Sequence, residues 1–200
     1  MAVTDILVTP AKIYRAPVGE AVPDESTVAY GAAWGGNWTD LGYTLEPVSL
    51  SYETETFKLM VEQLTAPVRA VRQEETITIE TVLAEITGAN LAMAMDGTNT
   101  ATSAGVNQVA YDLVEAGGSV SISEYAWGFE GYRLTSTDSK LPVRVFVYRG
   151  VATLNGQLTF AKSAGVGIPL RIEAMPDTTK AAGKQILQIH NVTAAPTTTT

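Results

Sequence analysis

Val48-Ser49-Leu50-Ser51-Tyr52-Glu53-Thr54-Glu55-Thr56-Phe57-Lys58 and, after a gap, Glu74-Glu75-Thr76-Ile77-Thr78-Ile79-Glu80-Thr81-Val82-Leu83 decide how this chain is read. Successive side chains of a strand point to opposite faces of a sheet, so a period of two in polarity marks a half-buried strand. In the first run Val48, Leu50 and Tyr52 share one face, and Thr54 and Thr56 continue that row. Ser49, Ser51, Glu53 and Glu55 occupy the other. The second run sets Ile77 and Ile79 against Thr76, Thr78 and Glu80. Two such strands predict a sheet with one face against its own core and the other toward water.

Outward from these, residues 108–113, 125–134, 143–148, 152–160 and 168–174 show similar patterns, most of them punctuated by Gly, Pro, Asp or Ser. That density of short strands predicts a mainly β protein, an antiparallel sandwich or barrel. One segment departs from it: Val82, Ile86 and Met93, with Leu83 nearby, approach helical spacing and predict a single flanking helix within 81–95, stopped at Asp96-Gly97. Met93 and Met95 are expected to pack under a sheet, and Met175 to end a strand. Residues 18–38, with Gly19, Pro23, Gly31, Gly35 and Gly36, read as a long surface loop. Residues 60–72, centred on Leu64-Thr65-Ala66-Pro67-Val68, form a connection longer than a hairpin turn needs. Its Val61, Leu64 and Val68 either dock onto a neighbouring subunit or fold back on their own sheet. Ala194-Ala195-Pro196 and Thr197 to Thr200 are low in complexity, so a single domain is expected over 1–193 and a disordered tail over 194–200.

The 200 residues are 46% hydrophobic and 17% charged, enough apolar content to bury a core. With no cysteine, disulfides, thiolate metal sites and cysteine nucleophiles are excluded, and a reducing compartment is a suitable place to fold. Thirteen basic against 21 acidic residues give a formal charge of -8, which disfavours adhesion to a polyanion. No run approaches the roughly 20 apolar residues of a membrane-spanning helix, and the opening Met-Ala-Val-Thr-Asp has no basic lead-in to an export signal. Neither membrane anchoring nor export is therefore expected.

The search for chemistry nominates no catalytic, cofactor-binding or metal-ligating residue. His190 stands alone of its type and is expected on a surface or strand edge, because triads and metal sites need several converging groups. There is no Gly-x-Ser-x-Gly elbow; Gly183-Lys184 lacks the upstream glycine of a phosphate loop, and Gly165-Val166-Gly167 lacks the third glycine of a dinucleotide site. Asp24-Glu25, Glu53 with Glu55, and Glu74-Glu75 are acidic pairs of low specificity, better read as solvated strand faces than as an acid/base pair. Trp34, Trp38 and Trp127 are expected in a core or interface rather than as a sugar platform.

Ile13-Tyr14-Arg15-Ala16-Pro17-Val18-Gly19 with a later Pro23, then Trp38-Thr39-Asp40-Leu41-Gly42-Tyr43-Thr44, then the strand holding Tyr52-Glu53, resembles major tail tube proteins of long-tailed bacteriophages. The resemblance runs into the strand-to-helix passage 80–91 and covers roughly the first half of the chain; Glu46-Pro47 stands where a glycine-containing turn is expected. The second half matches only in being rich in strands.

The resemblance implies a β-sandwich with a flanking helix, polymerised as stacked homohexameric rings into a virion tail tube whose inner strands line a channel for DNA. On that reading Ser49, Ser51, Glu53 and Glu55 line the channel together with Thr76, Thr78 and Glu80. The connection bearing Val61, Leu64, Val68, Arg69 and Arg72 reaches the adjacent ring, where the two arginines meet acids. Partners would be further copies and other tail proteins, with DNA only in non-adhesive transit, and assembly in the host cytoplasm. Two other readings stay open on the residues: a carbohydrate- or receptor-binding sandwich using the tryptophans, and another virion ring protein such as a tail terminator.

Overall fold

The computed structural model describes residues 9–135, 139–160 and 165–195. Eight strands form one antiparallel sheet: β1 (Lys12–Pro17), β2 (Thr39–Asp40), β3 (Ser49–Leu59), β4 (Arg69–Leu83), β7 (Glu124–Leu134), β8 (Lys140–Leu154), β9 (Ile168–Ala174) and β10 (Leu187–Asn191). Their order is β2-β1-β7-β8-β9-β4-β3, with β10 paired to β8 off that path. A separate ribbon joins β5 (Thr98–Thr102) to β6 (Tyr111–Glu115), and α1 (Gly88–Ala94) packs beside it.

β8 makes the sheet a layered body. One edge of it pairs with β7 for most of its length, while the other changes partner, holding β10 along Val143–Val147 and β9 along Gly150–Leu154. Beyond β8 the sheet turns over on itself. Ile13 of β1, Trp127 and Phe129 of β7, Ile79 and Leu83 of β4, and Ile168, Leu170 and Ile172 of β9 belong to one buried cluster. β1 and β4 stand four steps apart in the strand order, about 19 Å in a flat sheet at ~4.8 Å per step. Only a folded sheet brings their side chains into one core. The sheet does not close into a barrel: β2 ends it on one side and β3 on the other.

The expected strands at 125–134 and 168–174 stand as β7 and β9, and those at 48–58 and 74–83 as β3 and most of β4. Other expectations are corrected. The strand expected at 108–113 is centred later, as β6, and that at 152–160 ends at Leu154 before an irregular connection. The helix is only Gly88–Ala94, because Thr81, Val82 and Leu83 pair with β9 as the end of β4 and Thr87 caps α1 by accepting from Asn90 N at 3.1 Å. Asn90 Nδ2 then donates to the carbonyls of Leu41 and Glu85, tying the helix to the sheet. Met93 is buried, but Met95 lies past the helix and is 43% exposed. The 60–72 connection is shorter than its pattern suggests, since β3 continues to Leu59 and β4 already begins at Arg69.

Residues 18–38 do form a loop without strand or helix. It is pinned by charge. Arg144, fully buried, donates to Glu130 Oε1 through Nε at 3.0 Å and Nη2 at 2.8 Å, and to the Val28 carbonyl at 2.8 Å, and its Nη1 reaches Glu25 at 2.5 Å. Glu130, also fully buried, accepts from Gly31 N and Trp34 Nε1. A buried charge is tolerated only when it is paired and its hydrogen bonds are satisfied, and the loop supplies those partners. Trp34 stacks on Tyr14 with ring centroids 4.0 Å apart, and Trp38 meets Trp34 edge-on at 5.2 Å. The tryptophans are core and loop anchors: Trp127 and Trp34 are buried, and Trp38 half-buried. The Thr-rich end from 196 onward lies outside the described residues.

Candidate assembly and channel-lining surfaces

The residues singled out in β3 and β4 come together. The register pairs Ser49 with Glu80, Ser51 with Thr78 and Glu53 with Thr76, and residues directly opposite share a face, so all seven candidate lining residues lie on one side of the sheet. Glu55 faces Glu74 across the same row, a like-charge pair that costs stability in isolation.

The face extends further than the sequence suggested. Thr78 and Glu80 pair with Glu173 and Arg171 of β9, which pair in turn with Val151 and Thr153 of β8, and Val151 pairs with Glu124 of β7. Alternation puts Arg149 on this side as well, where its Nη2 donates to Glu124 at 2.7 Å. This ion pair and its hydrogen bonds hold the Glu124 carboxyl below the ordinary carboxylate range. Arg171 stands between Glu80, at 3.7 Å, and Glu173, at 3.1 Å. Glu53, Glu55, Glu74, Glu80, Glu124 and Glu173 thus outnumber Arg149 and Arg171 on one continuous polar surface. The β9 contribution was missed because 168–174 looks too apolar for a surface. The alternation of Arg171 and Glu173 with buried Leu170 and Ile172 was the available signal.

Past Glu55 the surface changes character. Gln73 is an extra residue in β4, since Glu55 opposes Glu74 while Thr56 opposes Arg72, and such a bulge bends and twists a hairpin. Beyond it the row that began with serines and glutamates carries Phe57 and Leu59 opposite Val71 and Arg69. Every residue of β3 is exposed, and so are residues 60–75, so this end of the hairpin projects with water on both faces. The expectation that the apolar row of β3 lies against its own core is therefore corrected. Leu50 and Tyr52 remain 42% and 48% exposed, Leu50 at the rim of an apolar groove that it shares with Ile79, Phe129 and Val145.

Of the loop residues, Val61, Leu64 and Val68 are all exposed, at 36%, 56% and 54%, and do not fold back on the sheet. Val68 N donates to Leu59 O at 2.9 Å and Leu64 N to Val61 O at 3.2 Å, which shapes the turn without burying it. Arg69 closes the register opposite Leu59. Arg72 is held within the chain, its Nη1 3.1 Å from Glu75 Oε1. Tyr52 Oη also donates to that carboxylate. The tyrosine bond, and after it the arginine, lower the Glu75 pKa, while the same bond raises that of Tyr52.

His190 lies on β10, partly exposed, with Nδ1 2.8 Å from Glu25 Oε1. It is the outer member of the Arg144 cluster, which the sequence gave no spacing signal to find. Among the described residues no group of three or more His, Asp or Glu could hold a metal ion, and no helix is long and apolar enough to cross a membrane.

A hairpin of this kind is marginal alone in water, because two strands without a covered apolar face cannot offset the cost of ordering them. Its apolar residues and open edge are what an assembling subunit presents to another copy. No curated protein matches the chain. The family model described as phage tail tube protein matches residues 4–197, through the second half as well as the first, and the chain belongs to that family of structural virion tail proteins.

Proposed function

We propose that the chain polymerises as stacked hexameric rings into a tail tube, with the β3-β4-β9-β8 face lining a channel through which DNA passes during ejection. The observation that carries this reading is the polar face itself: four adjacent strands share it with Glu124 at the start of β7, six carboxylates stand on it against two arginines, and it runs to the open edge of β3. An edge strand with free backbone groups can continue pairing into a neighbouring copy, and repetition of that contact about an axis closes a ring. The carboxylates turned inward repel phosphates, so DNA slides without adhering. The bent hairpin with Val61, Leu64, Val68 and Arg69 reaches the adjacent ring, while Arg72 serves the hairpin by its pair with Glu75. Other tail proteins are partners at the ends of the tube, and assembly takes place in the host cytoplasm.

Negative-stain electron microscopy of the purified chain over a range of concentrations tests the reading. Hollow tubes or stacked rings with a central channel are expected. A second test replaces Glu53, Glu55 and Glu74 with lysine: tubes should still form but retain DNA in a salt-dependent way. A chain that stays monomeric at every concentration, with and without tail-end partners, would refute the reading.

A further inference from the structure

We infer that the apolar hairpin tip of one copy seats on the opposite end of the same sheet in the next copy, against Tyr43, Leu45 and Ile86. This rests on the tube reading and names the surface that receives the hairpin. β4 runs from Arg69 at the tip to Leu83 at the base, a rise of about 50 Å for a strand of its 15 residues at ~3.3 Å each. At the base the chain is stitched across the strand end: Ala84 N donates to Tyr43 O and Leu45 N to Val82 O, each at 2.8 Å. The β8–β9 connection enters β9 at Ile168, opposite Leu83. Gly165, at the end of that connection, lies over the same spot, since a side-chain carbon there would lie 3.9 Å from Leu45 Cδ1.

Tyr43 is 79% exposed, Leu45 52% and Ile86 41%. The base is therefore a second uncovered apolar surface, at the far end of the strands that carry the tip. Two different patches at opposite ends of one molecule make a head-to-tail contact, which repeats into an open filament instead of closing a dimer. Charge agrees in sign. Lys58 and Arg69 at the tip make no ion pair among the described residues, and neither do Glu46 and Glu85 at the base. Opposite charges at the rim of an apolar contact steer the approach and fix its register. The β5–β6 ribbon also exposes apolar residues, Val106 and Tyr111 among them, but it packs beside α1 and not against β4.

The absence of cysteine makes the test direct. Chains carrying Leu64→Cys and chains carrying Tyr43→Cys are co-assembled and mildly oxidised. Covalent dimers are expected from the mixture and not from either alone, and a chain carrying both substitutions should give a ladder of multimers. In parallel, Arg69→Glu should raise the critical concentration for assembly about tenfold, and adding Glu46→Arg should restore it. Tubes that yield no such dimers, or in which Leu64→Cys instead joins Leu113→Cys on the ribbon, would overturn this contact while leaving the tube reading intact. An unmodified chain that forms neither tubes nor rings would overturn both.

Discussion

Replacing Leu64 and Val68 together with serine should weaken assembly and leave folding unchanged. Both side chains are on the projecting hairpin, 56% and 54% exposed, so about half of each remains to be covered by a partner. Complete burial of such a side chain is worth roughly 1.5–3 kcal/mol, so covering the remaining half contributes about 1 kcal/mol apiece. Losing both costs about 2 kcal/mol per subunit contact, which raises the critical concentration roughly 30-fold at ~1.4 kcal/mol per tenfold. The backbone bond from Val68 N to Leu59 O does not involve either side chain. Exposed substitutions of this kind usually change folding stability by less than ~0.5 kcal/mol. Sedimentation of polymer at graded concentrations measures the first quantity, and urea unfolding of the unassembled chain the second. An unchanged critical concentration would refute the reasoning, and so would a matching 2 kcal/mol loss in folding stability, which would mean that the hairpin packs on its own subunit.

Glu130→Ala should cost about 3–5 kcal/mol in urea unfolding, because it strips buried Arg144 of its main partner, and it should expose amides of 18–38 to hydrogen exchange; a loss under ~1 kcal/mol would contradict the cluster's role. Gly128→Ala should destabilise by about 1–3 kcal/mol and disturb the Tyr14–Trp34 stack, read by near-ultraviolet circular dichroism, since a side-chain carbon there would run into the Trp34 ring. The depressed pKa of Glu124 adds stability that is full above the unfolded carboxylate value and is lost as pH falls through the lower folded value. Arg149→Met should therefore flatten that part of the acid limb of a stability-against-pH curve.

The polar face of β3 and β4 was legible because its information is local: alternation in 48–58 and 74–83 fixes which side chains share a face whatever the strands pack against. The projecting tip was half legible. Val61, Leu64 and Val68 could be seen as apolar residues in a connection, but whether they turn inward depends on how far the opposing layer reaches, a property of the whole fold. The same limit explains the helix, where Val82 and Leu83 fit a helical spacing and yet belong to β4, because pairing with β9 satisfies their backbone groups first.

The amino-acid sequence by itself determined the mainly β character, the freedom from disulfides, the net negative charge and the membership of the acidic row, since composition and period two need no knowledge of partners. Tertiary structure alone decided that β8 exchanges β10 for β9 along one edge and that Arg144 and Glu130 share a buried cluster with Glu25 and His190. It also decided that Arg171 and Glu173 join the polar face. Those pairings link residues as much as 165 positions apart, from Glu25 to His190, and no local pattern records a contact that only the folding of the sheet creates.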